Sequence, residues 1–203
     1  MNQYQSIARK LDVFFHVLQI AVRIAFVGCL IGLGILLAGA VFKLEPEMIG
    51  TGYSSLDLGV MEFELSKSAE PDKTQVLMIV GVNVVMALMI AVGAEFGVRQ
   101  IREILAPMKE GQPFHSSISS RFKKLAVLCL ILGIAVNAVA NISLALTIHT
   151  FDVVKLFVSE TISHVTVNFE LDLTFLAISA VLLLLSYIFR YGEELQILSD
   201  ETL

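Results

Sequence analysis

The chain has 203 residues, of which 56% are hydrophobic and only 16% charged, with a mean hydropathy of +0.80 and a formal charge of −5. That balance leaves too little polar surface to wrap a soluble core, and the apolar residues fall in runs longer than the roughly 18 residues that mark a bilayer span. The two cysteines, Cys29 and Cys129, lie in apolar runs, which argues against a disulfide framework or a zinc site, and nothing in the composition points to nucleic acid.

In chain order, the first apolar run is interrupted by Arg23 and predicts a span over 14–42. It is too long for a cleavable signal peptide, and no small-residue cleavage site precedes Lys43. A loop over 43–75 follows, in which 56–65 alternates as a strand does. The second span, 76–98, carries Glu95 near its end. The loop 99–124 begins as a helical continuation over 99–108, stopped by Pro107 and the Gly111-Gln112-Pro113 turn, after which Ser116 or Ser117 caps a helix leading into the third span, 125–148. A second loop, 149–172, has strand-like alternation over 164–171. The fourth span is 173–190, and 191–203 form a tail. Each span supplies about the 20 residues that a 30 Å hydrocarbon core needs, and none shows the ten-residue alternation of a membrane β-barrel.

Charge sets the orientation. The 99–124 loop carries six lysines and arginines against Glu103 and Glu110, whereas 43–73 holds three lysines against seven acids and 152–172 one lysine against four. Lysine and arginine stay on the cytoplasmic side, so this loop and both termini are expected inside and the two acidic loops outside. The expected fold is therefore an all-α membrane protein, a four-transmembrane-helix bundle in one membrane domain. Its two outer loops pair into a small extracytoplasmic β-sheet, because a lone hairpin is marginal in water.

The halves resemble each other. At an offset of 114, Lys10-Leu11 falls on Lys124-Leu125, Val13 on Val127, Leu18 on Leu132, and Ile20-Ala21-Val22 on Ile134-Ala135-Val136, seven identities in fourteen positions. Phe63-Glu64-Leu65 recurs as Phe169-Glu170-Leu171. The reading is a parallel duplication of one helical hairpin about an axis along the membrane normal.

Polar residues inside spans are the first candidates for chemistry. Arg23 lies 20 positions before Lys43, and Glu95 lies 20 after Gln75. Both are expected about 30 Å from the outer face, paired, as a clamp between the first two spans or as a proton or ion relay. Asn137 and Asn141 share one face of the third span with Gly133 and Ala145, and Asn83 is expected at the depth of Asn141. These amides read as interhelical hydrogen bonds or as a binding site in the bundle. Gly28 with Gly32, and Gly93 with Gly97, read as positions of close helix approach. His149, Asp152, Glu160 and His164 include possible metal ligands at no recognised spacing, and no metal or cofactor is expected. No catalytic signature occurs, and an enzyme is not expected.

The stretches Arg102-Glu103-Ile104-Leu105, Gly111-Gln112-Pro113-Phe114 and Arg121-Phe122-Lys123-Lys124-Leu125-Ala126, with the ending Phe189-Arg190-Tyr191-Gly192-Glu193-Glu194-Leu195-Gln196, resemble the signature of a bacterial four-span membrane family known as domain of unknown function 2975. The resemblance implies a bacterial inner-membrane protein of no assigned activity. Its genes often neighbour a small helix-turn-helix regulator, which implies regulation or signalling. It supplies no functional residue, and the long acidic first outer loop has no match in that pattern. Two functions are carried forward. One is a non-enzymatic regulatory, sensory or assembly partner, meeting a protein or peptide at the outer sheet and a cytoplasmic partner at the basic loop and tail. The other is a small transporter or channel component acting as a homo-oligomer through Arg23, Glu95 and the three asparagines. Membrane lipids are expected partners of either; nucleic acid is not.

Overall fold

A computed structural model describes residues 3–42, 55–57, 62–64, 73–151 and 171–201. Among them are four long helices: α1 (Gln3–Phe42), α2 (Lys73–Lys109), α3 (Ser116–Thr150) and α4 (Thr174–Glu201). Each is long and apolar enough to cross a membrane, and the chain is a multi-pass membrane protein whose spans are all helical. Every helix outruns its expected span at the same, basic end, by about ten residues or 15 Å each.

The ends are set by local chemistry. Pro107 does not stop α2, which runs to Lys109. The stop is a Schellman motif: the Gln112 amide donates to the Pro107 carbonyl at 3.0 Å and the Gly111 amide to the Met108 carbonyl at 3.2 Å. Gly111 takes the left-handed φ of 92° that a side chain would resist. The cap of α3 is His115 rather than Ser116 or Ser117: its Nδ1 accepts the Ser117 amide at 3.2 Å, and its carbonyl accepts the Ile118 amide at 3.0 Å. At the start of α4 the Asp172 carboxylate accepts the Thr174 amide at 2.8 Å.

The expected outer sheet needs correction. In place of one strand over 56–65, β1 (Ser55–Asp57) and β2 (Glu62–Glu64) pair with each other, antiparallel, with Leu56 opposite Phe63. The expected partner strand, 164–171, lies outside the described residues except for Leu171, so a sheet shared between the two loops forms no part of the described fold.

Contacts divide the chain into two compact units. The first contains 1–27, 89–136 and 172–203, which is the basic end of all four helices. Its core is Ile104, Ile118 and Leu125, flanked by Ile101, Met108, Phe122, Leu182 and Phe189. Ser179, buried, donates to the Ala126 carbonyl at 2.9 Å, and Cys129 Sγ approaches the Phe175 carbonyl at 3.7 Å, fixing α3 against α4. The second unit contains 28–88 and 137–171. Ile79 is among its buried residues, and Ser143 Oγ donates to Asn83 Oδ1 at 3.0 Å between α2 and α3. Much of the apolar surface of the helices is left uncovered, Val13, Ile24 and Ile131 each being about two-thirds exposed, as lipid rather than water permits.

Asp172 offers a test of the α4 start. Hydrogen bonds from the Thr174 side chain, then from its backbone amide, hold this carboxyl below the usual carboxylate range. A depressed folded-state pKa contributes stability above the unfolded value near 3.9, and that contribution is lost as pH falls through the lower, folded value. Asp172→Ala should therefore speed amide exchange over the first turn of α4 at neutral pH, with the difference from wild type closing in strong acid. Asp172→Asn, which keeps an acceptor, should change it little.

Candidate functional site

The residues predicted from sequence to pair do meet. Arg23 donates from Nη2 and Nε to Glu95 Oε1 at 2.8 and 3.1 Å. They are one rung of a longer structure. Gln19 Nε2 donates to the same Glu95 oxygen at 2.7 Å, and Gln19 Oε1 accepts from Arg102 Nη1 at 2.6 Å. Arg102 Nε reaches Asp12 Oδ1 at 3.2 Å, and Lys109 Nζ reaches Asp12 Oδ2 at 2.7 Å.

The result is a continuous polar seam between α1 and α2. Glu95, Arg102 and Lys109 are seven apart, as are Asp12 and Gln19, so each set returns to the same face of its helix every two turns. Gln19 is buried and links the two charged clusters, using its amide as both donor and acceptor. The other Glu95 oxygen, Oε2, is buried with no hydrogen-bond partner among the described residues. A small apolar cavity of about 140 Å³, lined by Val22, Phe26, Ala91, Val92 and Phe96 beside the pair, adjoins this seam.

Beyond it, Glu103 receives Arg99 of its own helix at 3.0 Å and Arg121 of α3, tying α2 to α3. An aromatic seat then fixes the end of α4. Phe122 stacks on Phe189 with ring centres 5.1 Å apart, and Phe114 tilts against Phe189 at 6.0 Å. The Phe114 ring occupies the space where any side chain at Gly192 would stand. A recess of about 260 Å³ opens beside this seat, between the α2–α3 turn and α4, with Gln112, His115, Glu193 and Gln196 in its wall. The α2 end, the α2–α3 turn and the α4 end thus converge: Ile104 and Leu105 are buried, Arg102 and Glu103 are in ion pairs, and Phe114 lies on Gly192.

Asn83 donates to its own Ile79 carbonyl at 3.1 Å and accepts from Ser143; Asn141 donates to the Asn137 carbonyl at 2.9 Å along its own helix. Ser143, half a turn beyond Asn141, is the residue level with Asn83. Of the paired glycines, Gly93 faces the tip of Leu132, Gly97 meets only ordinary contacts, and Gly28 and Gly32 face open space among the described residues. Asp152, Glu160 and His164 lie outside the described residues, among which no three histidine, cysteine or acidic side chains gather as a metal site.

Sequence reading missed Asp12, Gln19, Arg102 and Lys109 as members of the seam. The sevenfold spacing was the available signal, hidden because Asp12, Arg102 and Lys109 read as ordinary loop charges. No family model, curated protein or solved structure matches the chain.

Proposed function

We propose that this is a non-enzymatic protein of the bacterial inner membrane, with both termini cytoplasmic, acting as a regulatory, sensory or assembly partner. The observation that carries this reading is the recess on the Phe114–Phe189–Phe122 seat. It is a hollow of mixed lining on a fixed turn, with Phe114 and Ile197 beside Gln112, His115, Glu193 and Gln196, at the end where the basic residues argue for the cytoplasm, and it is built from the stretches that resemble the four-span family. Inside the spans, by contrast, Arg23 pairs with Glu95 and Asn83 with Ser143, which suits a scaffold better than a passage. The partner is a cytoplasmic protein or peptide segment at the recess; a second contact at the outer hairpin belongs to the same proposal.

The duplication is also part of this reading. At the offset of 114, Asp12 corresponds to Ala126 and Gln19 to Gly133. The first two contact α2 and the second two contact α4, so equivalent positions serve equivalent seams in the two hairpins.

A photocrosslinking residue at Gln112 or Gln196 should capture one discrete protein in native membranes, and Phe114→Ala should remove that product while the chain still inserts. Capture from neither position, together with ion flux from the purified chain in vesicles, would overturn the proposal. It would favour the transport alternative, for which the unpartnered Glu95 oxygen is the supporting observation.

A further inference from the structure

The groove between the first two turns of α3 and the α4 segment 183–193, about 370 Å³ in volume, lies beside the recess of the partner reading and shares Ser116 and Glu193 with it. We propose that it holds the headgroup of a monoanionic glycerophospholipid, with Lys123 and Arg190 as the cations for the phosphodiester.

The floor is closed. Ser119 Oγ donates to the Ser186 carbonyl at 2.9 Å and Ser186 Oγ to the Ser119 carbonyl at 2.8 Å, a reciprocal pair that pins α3 to α4 at one level. Lys123 is four residues after Ser119, and Arg190 four after Ser186. Since the two helices run in opposite directions, these cations start about 6 Å on either side of the serine level. Helical side chains lean toward their own N-terminus, which directs both back toward it, and both line the groove.

Lys123 is exposed and has no hydrogen bond or ion pair among the described residues. Arg190 gives its Nε to Glu194 at 3.2 Å, an exposed pair one helical turn apart of the kind that is readily exchanged, and its two terminal nitrogens stay outside that bond. The walls differ along the groove. Toward the apolar run of α4 they are Leu183 and Tyr187, the latter 68% exposed, giving an acyl chain a path and an aromatic ring at headgroup depth. At the other lip stands Glu193, whose charge opposes a dianion. Within the lining, two cations against one acid suit a phosphodiester carrying one charge better than a phosphomonoester, Glu194 lying on Arg190 outside the lining. A recess opening directly onto an apolar helix face suits a lipid better than a soluble phosphate.

The test uses the full chain exchanged into detergent micelles carrying equal amounts of phosphatidylglycerol and phosphatidylcholine, with retained lipid counted by native mass spectrometry. Wild type should retain phosphatidylglycerol selectively. Lys123→Ala with Arg190→Ala should reduce that selectivity about tenfold, while Arg9→Ala with Lys124→Ala, an equal charge change outside the groove, should leave it within about twofold. Lys123→Gln with Arg190→Gln repeats the arm if the alanine variant does not fold. Equal losses in groove and control variants, or no loss in the groove variants, would overturn the proposal. So would displacement of the bound lipid by an equal concentration of glycerol 3-phosphate. Crosslinking at Gln112 and Gln196 reports on the partner reading separately.

Discussion

Alanine at position 133 should destabilise the detergent-solubilised chain by up to about 2 kcal/mol, and valine there should largely prevent its accumulation in the membrane. A Cβ on Gly133 would overlap both Cγ and Cβ of Phe175 across the α3–α4 seam. The Phe175 Cβ is fixed by its backbone, so no rotamer change relieves the clash, and the two helices must move apart. Overpacking of this kind costs about 1–3 kcal/mol, against the ~1 kcal/mol of helix propensity that alanine gains over glycine. Separation would also strain the Ser179–Ala126 hydrogen bond, on the same seam. Three other glycines make the comparison sharp. Gly93→Ala meets only the flexible end of Leu132 and should cost less; Gly97→Ala finds ordinary contact distances, and Gly28→Ala open space, so both should be neutral or stabilising. Thermal unfolding of the four single variants in one detergent orders them. A Gly133→Ala variant as stable as Gly97→Ala would show that the seam is looser than its geometry.

The four-helix plan was legible because bilayer spanning demands long apolar runs, and runs survive without knowledge of neighbours. Helix extents were less legible. The α2 stop depends on Gly111 adopting positive φ rather than on Pro107, which the last turn accommodates. The α3 cap is an imidazole, a cap chemistry that a search for serine or threonine passes over. Pair Arg23–Glu95 could be found by counting residues from the span ends, since depth is a one-dimensional quantity. Which side chain faces which helix could not, because rotation about a helix axis is set by packing; hence the Asn83–Ser143 bond was not foreseen. The aromatic seat was invisible for the same reason: Phe114 and Gly192 are 78 positions apart, and only the antiparallel fold brings the ring into the space beside that glycine.

Reversing the central ion pair should rescue the chain only in part, and the shortfall should be attributable to Gln19. Arg23→Glu and Glu95→Arg should each lower folded yield roughly tenfold, since either leaves two like charges facing across α1 and α2 in an apolar surrounding. Combining them restores the pair. It does not restore the seam, because Gln19 already spends its carbonyl on Arg102 and turns its amide nitrogen toward position 95. A new arginine there meets a donor with a donor. Adding Gln19→Glu to the double variant supplies acceptors to both flanking arginines and should recover most of the remaining yield. In the wild-type background, Gln19→Leu should be harmful although it removes no charge, because it strips Glu95 of one donor and Arg102 of one acceptor at a buried position. Fluorescence-detected size exclusion of tagged variants reads all five. Complete rescue by the double swap would reduce the seam to an isolated pair, with Asp12, Arg102 and Lys109 as a separate cluster. Partial rescue completed by Gln19→Glu would establish that a single amide couples the two charged clusters, and that α1 and α2 are held by one continuous polar register.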